Sequence, residues 1–136
     1  MNPHPSSGPC PCGTGRPYAG CCGALHAAHA AGQGLTAATP EALMRSRYAA
    51  FVLDLRPYLL ASWHASTRPA ALAPPEPGLK WLGLAVKHSA MQGTDHGTVE
   101  FVARSKLAGR AHRLRETSRF VREHGAWFYV DGDLEN

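Results

Sequence analysis

The first 23 residues constrain the fold of this chain most strongly, because they hold all four of its cysteines. The spacing is Cys10-x-Cys12, then eight residues, then Cys21-Cys22. The same segment contains five prolines and five glycines, a composition unfavourable to both helices and strands. Such a segment cannot rely on a hydrophobic core for its order, so we expect a cross-link or a metal ion to hold it together.

Two kinds of cross-link can order this segment. Zn²⁺ in structural sites is held by four soft ligands in a tetrahedron, and four thiolates complete that site with no open position. Two disulfides are the alternative, but adjacent Cys21 and Cys22 do not pair easily. The cluster therefore predicts a structural zinc ion, ligated by Cys10, Cys12, Cys21 and Cys22.

The cellular compartment is inferred from what the sequence lacks. It has no run of 18 or more apolar residues, so we expect no membrane span. The first nine residues carry three prolines and no apolar stretch, which is untypical of a secretory signal. We therefore expect a cytoplasmic protein, in which thiols remain reduced. The net charge of +4 permits an acidic partner without requiring one.

The chain between the cysteines and residue 64 predicts helices. Residues 24–38 are alanine-rich and indicate a linker or a short helix, on which His26 and His29 are potential substitute metal ligands or, more simply, solvated side chains. Thr39 before Pro40 is typical of a helix start, and apolar residues follow at helical spacing. A second short helix is predicted over 55–63, with Asp54 as its cap.

From residue 80 onwards the pattern alternates, as it does in strands with one buried face. Four strands are predicted, separated by short turn-rich connections: 80–88, 98–106, 111–122 and 126–131. Helices followed by an antiparallel meander indicate an α+β domain, with helices covering one face of a curved sheet.

The cysteine segment resembles a known zinc motif. Cys10-Pro11-Cys12-Gly13-Thr14-Gly15, followed by Tyr18 and Cys21-Cys22, is similar to the SEC-C motif named for the C-terminus of the SecA translocation ATPase. The resemblance implies that the four cysteines are the zinc ligands. Thr14 stands where the motif usually has serine, and the lysines common around the tyrosine are reduced to Arg16.

The remainder of the chain resembles the YchJ family. Six segments carry the likeness: 43–51, 63–64, 81–84, 99–104, 116–120 and 127–132. The resemblance implies a zinc knuckle over 1–23, a linker or short helix over 24–38, and a nuclear transport factor 2-like (cystatin-like) cone over 39–136. Two or three helices would pack on about four antiparallel strands. The family is uncharacterised, so the resemblance implies no reaction.

An acidic residue is predicted to point into the cone. Glu116 shares the inner face of the third strand with apolar residues, where a carboxylate needs a partner or a function. It can form a structural ion pair with Arg45 or Arg47, or an acid–base pair with His64, in which case Glu116 and His64 are the catalytic candidates. The candidate pocket residues are Arg45, Arg47, Tyr48, Trp63, His64, Glu116 and Ser118, and Trp81 would also line it.

The outer face of the same strand is rich in arginine. Arg113, Arg115 and Arg119 alternate along it, and seven basic residues lie between Arg104 and Arg122 against a single acid. Such a stripe can contact RNA phosphates or an acidic protein, or it can simply be a solvated face that discourages edge pairing. Aromatic residues are not interleaved on it, which disfavours single-strand recognition.

Three functions follow from these features. The leading prediction is a non-enzymatic interaction or adaptor protein that uses its zinc knuckle, because a closed thiolate site performs no hydrolysis. The likeness to the SecA tail implies a protein partner at the ribosome or the translocation machinery. The alternatives are small-molecule binding or acid–base catalysis in the cone, and RNA binding on the arginine face.

Overall fold

The protein folds as three helices packed on one antiparallel sheet. The structure, a computed structural model, describes residues 8–135; the first seven residues of the predicted knuckle segment and Asn136 lie outside this range. The helices and strands are α1 (Cys22–Ala30), α2 (Pro40–Leu53), α3 (Arg56–Ala61), β1 (Lys80–Gln92), β2 (His96–Leu107), β3 (Arg110–Glu123) and β4 (Ala126–Glu135). The strands lie in the order β1-β2-β3-β4, which confirms the predicted α+β class.

Helix α2 begins as its sequence predicts and ends in a way the sequence did not indicate. The Thr39 hydroxyl accepts a hydrogen bond from the Ala42 N–H at 3.0 Å, as an N-cap residue should. At the other end, Asp54 adopts the left-handed conformation with φ of 56°. Its predicted role as the cap of the next helix is therefore wrong: Asp54 terminates α2, and α3 begins after Leu55 without a side-chain cap.

The strands extend beyond their predicted ends and bend. Strand β4 runs four residues past the predicted limit, to Glu135, and β1 continues to Gln92. Register shifts interrupt the pairing of β1 with β2 at two points and that of β3 with β4 after Arg119. Bulges of this kind increase local twist and curve a sheet, and α2 packs across the inner face against β1, β2 and β4.

The cysteine segment is docked on the cone. Cys10, Cys12 and Cys22 belong to the same buried apolar cluster as Leu43 and Met44 of α2. The arrangement therefore differs from two units tethered by a free linker, because the cysteine segment shares its core with the helix that covers the sheet. Within residues 8–135, no helix has both the length and the apolar character needed to cross a membrane.

Candidate metal centre and cone pocket

A short hairpin brings the first two cysteines to the others. The Cys10 N–H donates to the Arg16 carbonyl at 2.9 Å, and the Tyr18 N–H donates to the Gly8 carbonyl at 2.8 Å. Gly13 occupies the tip with φ of +87°, a conformation that favours glycine. Because α1 begins at Cys22, the last two cysteines lie at a helix N-terminus, where backbone N–H groups and the helix dipole stabilise thiolates.

The four thiols form one compact cluster, with all Sγ atoms within 4.8 Å of one another. All four cysteines are free, and the 3.6 Å between the Cys12 and Cys21 sulfurs rules out a bond between them, so the disulfide alternative is not the arrangement observed. A tetrahedral zinc site with Zn–S bonds of about 2.3 Å places its sulfurs about 3.8 Å apart. The donor set therefore fits a soft divalent metal ion.

The electrostatics of the cluster also favour a cation. Thiol–thiol hydrogen bonding with Cys12 raises the pKa of Cys10 to about 11. Hydrogen bonding with Cys10 and Cys12, and then burial, hold the pKa of Cys22 well above its usual range. The same bonds lower the pKa of Cys12, because the thiols of Cys10 and Cys22 donate hydrogen bonds to its thiolate form. All four sulfurs can be thiolates at once only with a positive charge among them.

His26 is not a ligand of this cluster but connects it to the cone. The Tyr18 hydroxyl donates to Nδ1 at 2.6 Å, and Nε2–H donates to the Ser46 carbonyl at 2.8 Å. Burial lowers the pKa of His26, in keeping with a neutral ring in these bonds. The expectation of a solvated His26 is thus corrected. His29 lies outside the metal-ligand cluster and packs edge-on against Tyr58.

Gly23 allows Tyr18 to pack against α1. A Cβ at Gly23 would lie 2.5 Å from the Tyr18 carbonyl oxygen and 2.8 Å from its ring. We expect Gly23→Ala to lower the free energy of unfolding by about 1–3 kcal/mol, the usual cost of an overpacked site. Gly20→Ala is the matched control, because no atom of residues 8–135 lies within 4 Å of a Cβ placed there. Urea unfolding of both variants tests this; equal stability would contradict the packing argument.

A cavity of about 200 Å³ lies between α2 and the inner face of the sheet. Its walls are mostly aromatic and aliphatic. Arg47 and Glu116 supply the charged groups of the lining, and Ser118 supplies an aliphatic hydroxyl. The remaining lining residues are Met44, Tyr48, Phe51, Trp63, Trp81, Phe101, Ala103, Leu114, Phe120 and Tyr129. The cone is therefore open, and five of the seven predicted pocket residues line the cavity.

Arg47 is the positive group of the cavity and is only 6% exposed. Its Nη1 donates to the Leu59 carbonyl at 2.8 Å and to the Ser62 hydroxyl at 2.7 Å. The guanidinium carbon lies 5.1 Å from the Trp63 ring centroid and 4.5 Å from that of Tyr129. Burial lowers the pKa of Arg47 to about 10, so it remains charged at neutral pH.

Glu116 is the negative group and is held by its own strand. Its Oε2 accepts a hydrogen bond from the Ser118 hydroxyl at 2.5 Å. The carboxylate lies against Gly132, where a Cβ would be 2.3 Å from Oε2. Only glycine at position 132 therefore leaves room for the carboxylate. Burial, and then the charge of Glu116, raise the pKa of Tyr129 to about 12.

Tyr129 also faces the cavity, although it was not among the pocket residues predicted from the sequence. The alternation of residues in β4 could have indicated that it points inward.

Glu116 forms an ion pair with none of its three expected partners. His64 lies outside the cavity lining, and its Nε2 is 2.9 Å from the Glu123 carboxylate. Arg45 also points away, donating to Glu41 and, through Nη1, to the Cys12 carbonyl at 2.8 Å. Arg47 shares the cavity with Glu116 but forms no ion pair with it. These positions correct the expectations of a Glu116–His64 pair and of a helix–sheet ion pair.

The outer face of β3 is not the uncompensated basic surface that was expected. Arg115 and Arg119 each pair with two carboxylates, and these bonds raise the pKa of both guanidinium groups. The carboxylates are Glu100 and Glu135 for Arg115, and Asp131 and Asp133 for Arg119. Arg113 is exposed and has no ion pair within residues 8–135.

We expect this paired surface to bind RNA weakly. An oligoribonucleotide should bind no more tightly than about 10⁻⁴ M at physiological salt, the weak end of nonspecific nucleic-acid binding. Arg115→Glu should weaken that binding no more than Arg113→Glu does, because the charge of Arg115 is already neutralised by its neighbours. A gel-shift titration at two salt concentrations, with Arg113→Glu as the control, tests this. A steep salt dependence abolished by Arg115→Glu would restore the RNA hypothesis.

Comparison with known proteins assigns the family. Residues 39–132 match the family model described as "YchJ, middle NTF2-like domain". The chain belongs to the YchJ family. This YchJ protein is 59% identical to a UPF0225 protein of Methylibium petroleiphilum, over 99% of this chain and 96% of that protein. It is 55% identical to a UPF0225 protein of Bordetella bronchiseptica, over 98% and 99% of the two chains.

Two solved structures share this fold over most of its length. The solution structure of a SEC-C motif containing protein from Rhodopseudomonas palustris matches with a TM-score of 0.78 and 33% identity, over 95% of this YchJ chain and all of the other. The crystal structure of a SEC-C motif containing protein from Psychrobacter arcticus matches with a TM-score of 0.77 and 25% identity, over 96% and 85% of the two chains. Both likenesses support a SEC-C segment joined to an NTF2-like domain.

Proposed function

We propose that this protein is a small-molecule-binding protein whose fold is stabilised by a structural zinc ion. The observation that carries the proposal is the cavity of about 200 Å³ that holds a buried arginine without a carboxylate partner among residues 8–135. Apolar walls with a few convergent polar groups are typical of ligand sites. Three guanidinium N–H groups of Arg47, on Nε and Nη2, have no acceptor in the described part of the chain.

Zinc is the metal that the donor set favours. Four cysteine ligands form a closed tetrahedral site, and soft thiolates select Zn²⁺ over the harder divalent ions. The bound ion would leave no position open for substrate, so its contribution is to folding. Through Cys12 and its contact with Arg45, it would fix the hairpin against α2, the helix that also carries Arg47 into the cavity.

Binding is better supported than acid–base catalysis. The sequence suggested a Glu116–His64 pair, but His64 is bound to Glu123 outside the cavity. Glu116 is left with hydroxyl partners, Ser118 and the Tyr129 phenol, and within residues 8–135 it has no ion pair. A charged pair separated by an apolar cavity orients a ligand, and that role needs no proton transfer.

A cavity-filling substitution tests the binding proposal. Ala103 lines the cavity and is 4% exposed, so Ala103→Leu would occupy ligand volume, whereas Ala111→Leu adds the same atoms at an exposed site. With toluene, benzyl alcohol, benzoate and benzylamine as probes, we expect at least one to shift the amide resonances of Ser118 and its neighbours. Ala103→Leu should weaken that binding more than tenfold and Ala111→Leu should not. No shift with any probe would refute the proposal.

The knuckle remains a second candidate site, for a protein partner. Three of its cysteines are buried and Cys21 is half-buried, whereas its rim is exposed, so a partner would contact mainly the rim. The exposed rim residues are Gly13, Gly15, Arg16, Pro17, Ala19 and Gly20. The likeness to the SecA tail makes a ribosomal or translocation protein the candidate. Pulldown with Arg16→Glu tests this better than Cys21→Ser, which would remove a metal ligand. Identical partners for wild type and Arg16→Glu would contradict it.

A further inference from the structure

We propose that the cone cavity binds a monocyclic aromatic carboxylate that carries a hydroxyl or amino group on its ring. The inference rests on the proposed small-molecule function and adds the chemical class of the ligand. Its carboxylate would accept hydrogen bonds from Arg47, its ring would lie between the aromatic walls, and its ring donor would face Glu116.

The volume limits the ligand to a single ring. An apolar cavity of about 150 Å³ holds benzene. The cone cavity, of about 200 Å³, therefore has room for one ring and one or two small substituents. A nucleotide, a fused ring system or a long acyl chain would not fit within it.

The walls favour an aromatic ring over a compact polar molecule. Tyr48 and Phe51 of α2 each lie against Trp81 of β1, with ring centroids 5.6 and 6.1 Å apart. Phe120 and Tyr129 form an edge-on pair on the sheet side, 5.8 Å apart. A flat ligand between these two groups gains edge and face contacts with both.

The positive end of the cavity requires an acceptor. Nη1 of Arg47 is bound to Leu59 and Ser62, while Nε and Nη2 have no acceptor within residues 8–135. The indole N–H of Trp63, whose ring centroid lies 5.1 Å from the guanidinium carbon, is buried and has no hydrogen-bond partner within residues 8–135. A guanidinium binds a carboxylate with two parallel bonds, and Nε and Nη2 are the two Arg47 donors left for such a pair. An anionic oxygen group therefore fits this end, and a cationic ligand does not.

Glu116, at the negative end of the cavity, determines which substituent the ligand ring can carry. Glu116 already accepts a bond from Ser118, and its carboxylate lines the cavity. A bare aromatic anion would be repelled by it, whereas a ring hydroxyl or amino group would donate to it. Arg47 and Glu116 together thus favour a ligand with an acceptor at one end and a donor at the other.

A matched ligand series tests the class. The probes are benzoate, 3- and 4-hydroxybenzoate, benzyl alcohol and benzylamine, titrated into the full chain by NMR. For wild type we expect one hydroxybenzoate isomer to bind at least tenfold more tightly than benzoate, and benzylamine not to bind. Glu116→Gln should tighten benzoate binding severalfold, because it removes a like charge, and should shrink the hydroxyl preference. Arg47→Met should weaken every carboxylate at least tenfold and leave benzyl alcohol unchanged.

The outcomes separate the two proposals. If benzyl alcohol or benzylamine binds as tightly as the carboxylates, and Ala103→Leu abolishes that binding, the cavity binds small molecules but the ligand class is wrong. If Glu116→Gln leaves benzoate affinity unchanged, the proposed ligand class is also wrong. This variant still tests the proposal if Arg47→Met does not fold. If no probe shifts cavity resonances, both proposals fail.

Discussion

Removing the metal, or replacing Cys12 with serine, is expected to lower the free energy of unfolding of the whole chain by more than about 4 kcal/mol, as loss of a structural metal can. Cys12 is fully buried and its carbonyl accepts the Arg45 bond. Without the ion, Cys10 and Cys22, whose pKa values are raised, stay protonated, and the hairpin loses the metal bonds that fix it. The effect should reach the cone as well as the knuckle.

The shared core is the reason that the effect spreads. The cysteine segment alone suggests a tethered module, whose loss would leave the remaining domain folded. In the structure, Cys10, Cys12 and Cys22 cover Leu43 and Met44, and Met44 also lines the cavity. Losing the knuckle would expose one side of α2 to water, at a cost of about 25 cal/mol for each Å² of apolar surface.

The measurement combines metal content with unfolding. Zinc is quantified in protein purified without chelator, and urea unfolding is compared before and after chelation and for Cys12→Ser. Thr14→Ala is the control, because its hydroxyl contacts the Cys21 sulfur but thiolates alone complete the site. We expect one zinc per chain and Thr14→Ala to retain it. A chelated protein whose cone resonances are unchanged would show that the two units are energetically independent.

The sequence alone predicts those features of the structure that depend on a few neighbouring residues. The helix start at Thr39 and the cysteine cluster were predictable because capping and metal ligation depend on a few neighbouring residues. Alternation in β3 placed Glu116 and Ser118 on the inner face, and both line the cavity. The likeness to the family predicted the cone fold, whereas periodicity alone predicts only helices and strands.

What the sequence could not supply depends on pairing between distant segments. The outer arginines looked uncompensated because their acids lie on other strands, and the register that pairs Arg115 with Glu135 exists only because β4 continues past Asp131. His64 was a candidate partner of Glu116 in the cavity, but a parallel bridge between Trp63 and Tyr129 fixes that segment and leaves His64 beside Glu123.

The second large effect is expected from Arg47→Met, which should lower the free energy of unfolding by about 2–4 kcal/mol. Two bonds from a charged donor, to Leu59 and Ser62, are lost, each worth about 1.5–3 kcal/mol. The cation–π contacts with Trp63 and Tyr129 are lost with them. Relief from burying a charge offsets part of this cost. Urea unfolding measures the change, and exposed Arg113→Met is the control, expected within about 0.5 kcal/mol of wild type.

Arg47→Lys separates the charge of this residue from its shape. A lysine keeps the positive charge but offers a single ammonium, which cannot bond Leu59 and Ser62 on one side and face the cavity on the other. We therefore expect Arg47→Lys to recover less than half of the stability lost in Arg47→Met. Full recovery would show that charge alone is required at this position. It would also remove the reason for assigning the free Nε and Nη2 donors to a ligand, because their planar arrangement would then serve no purpose.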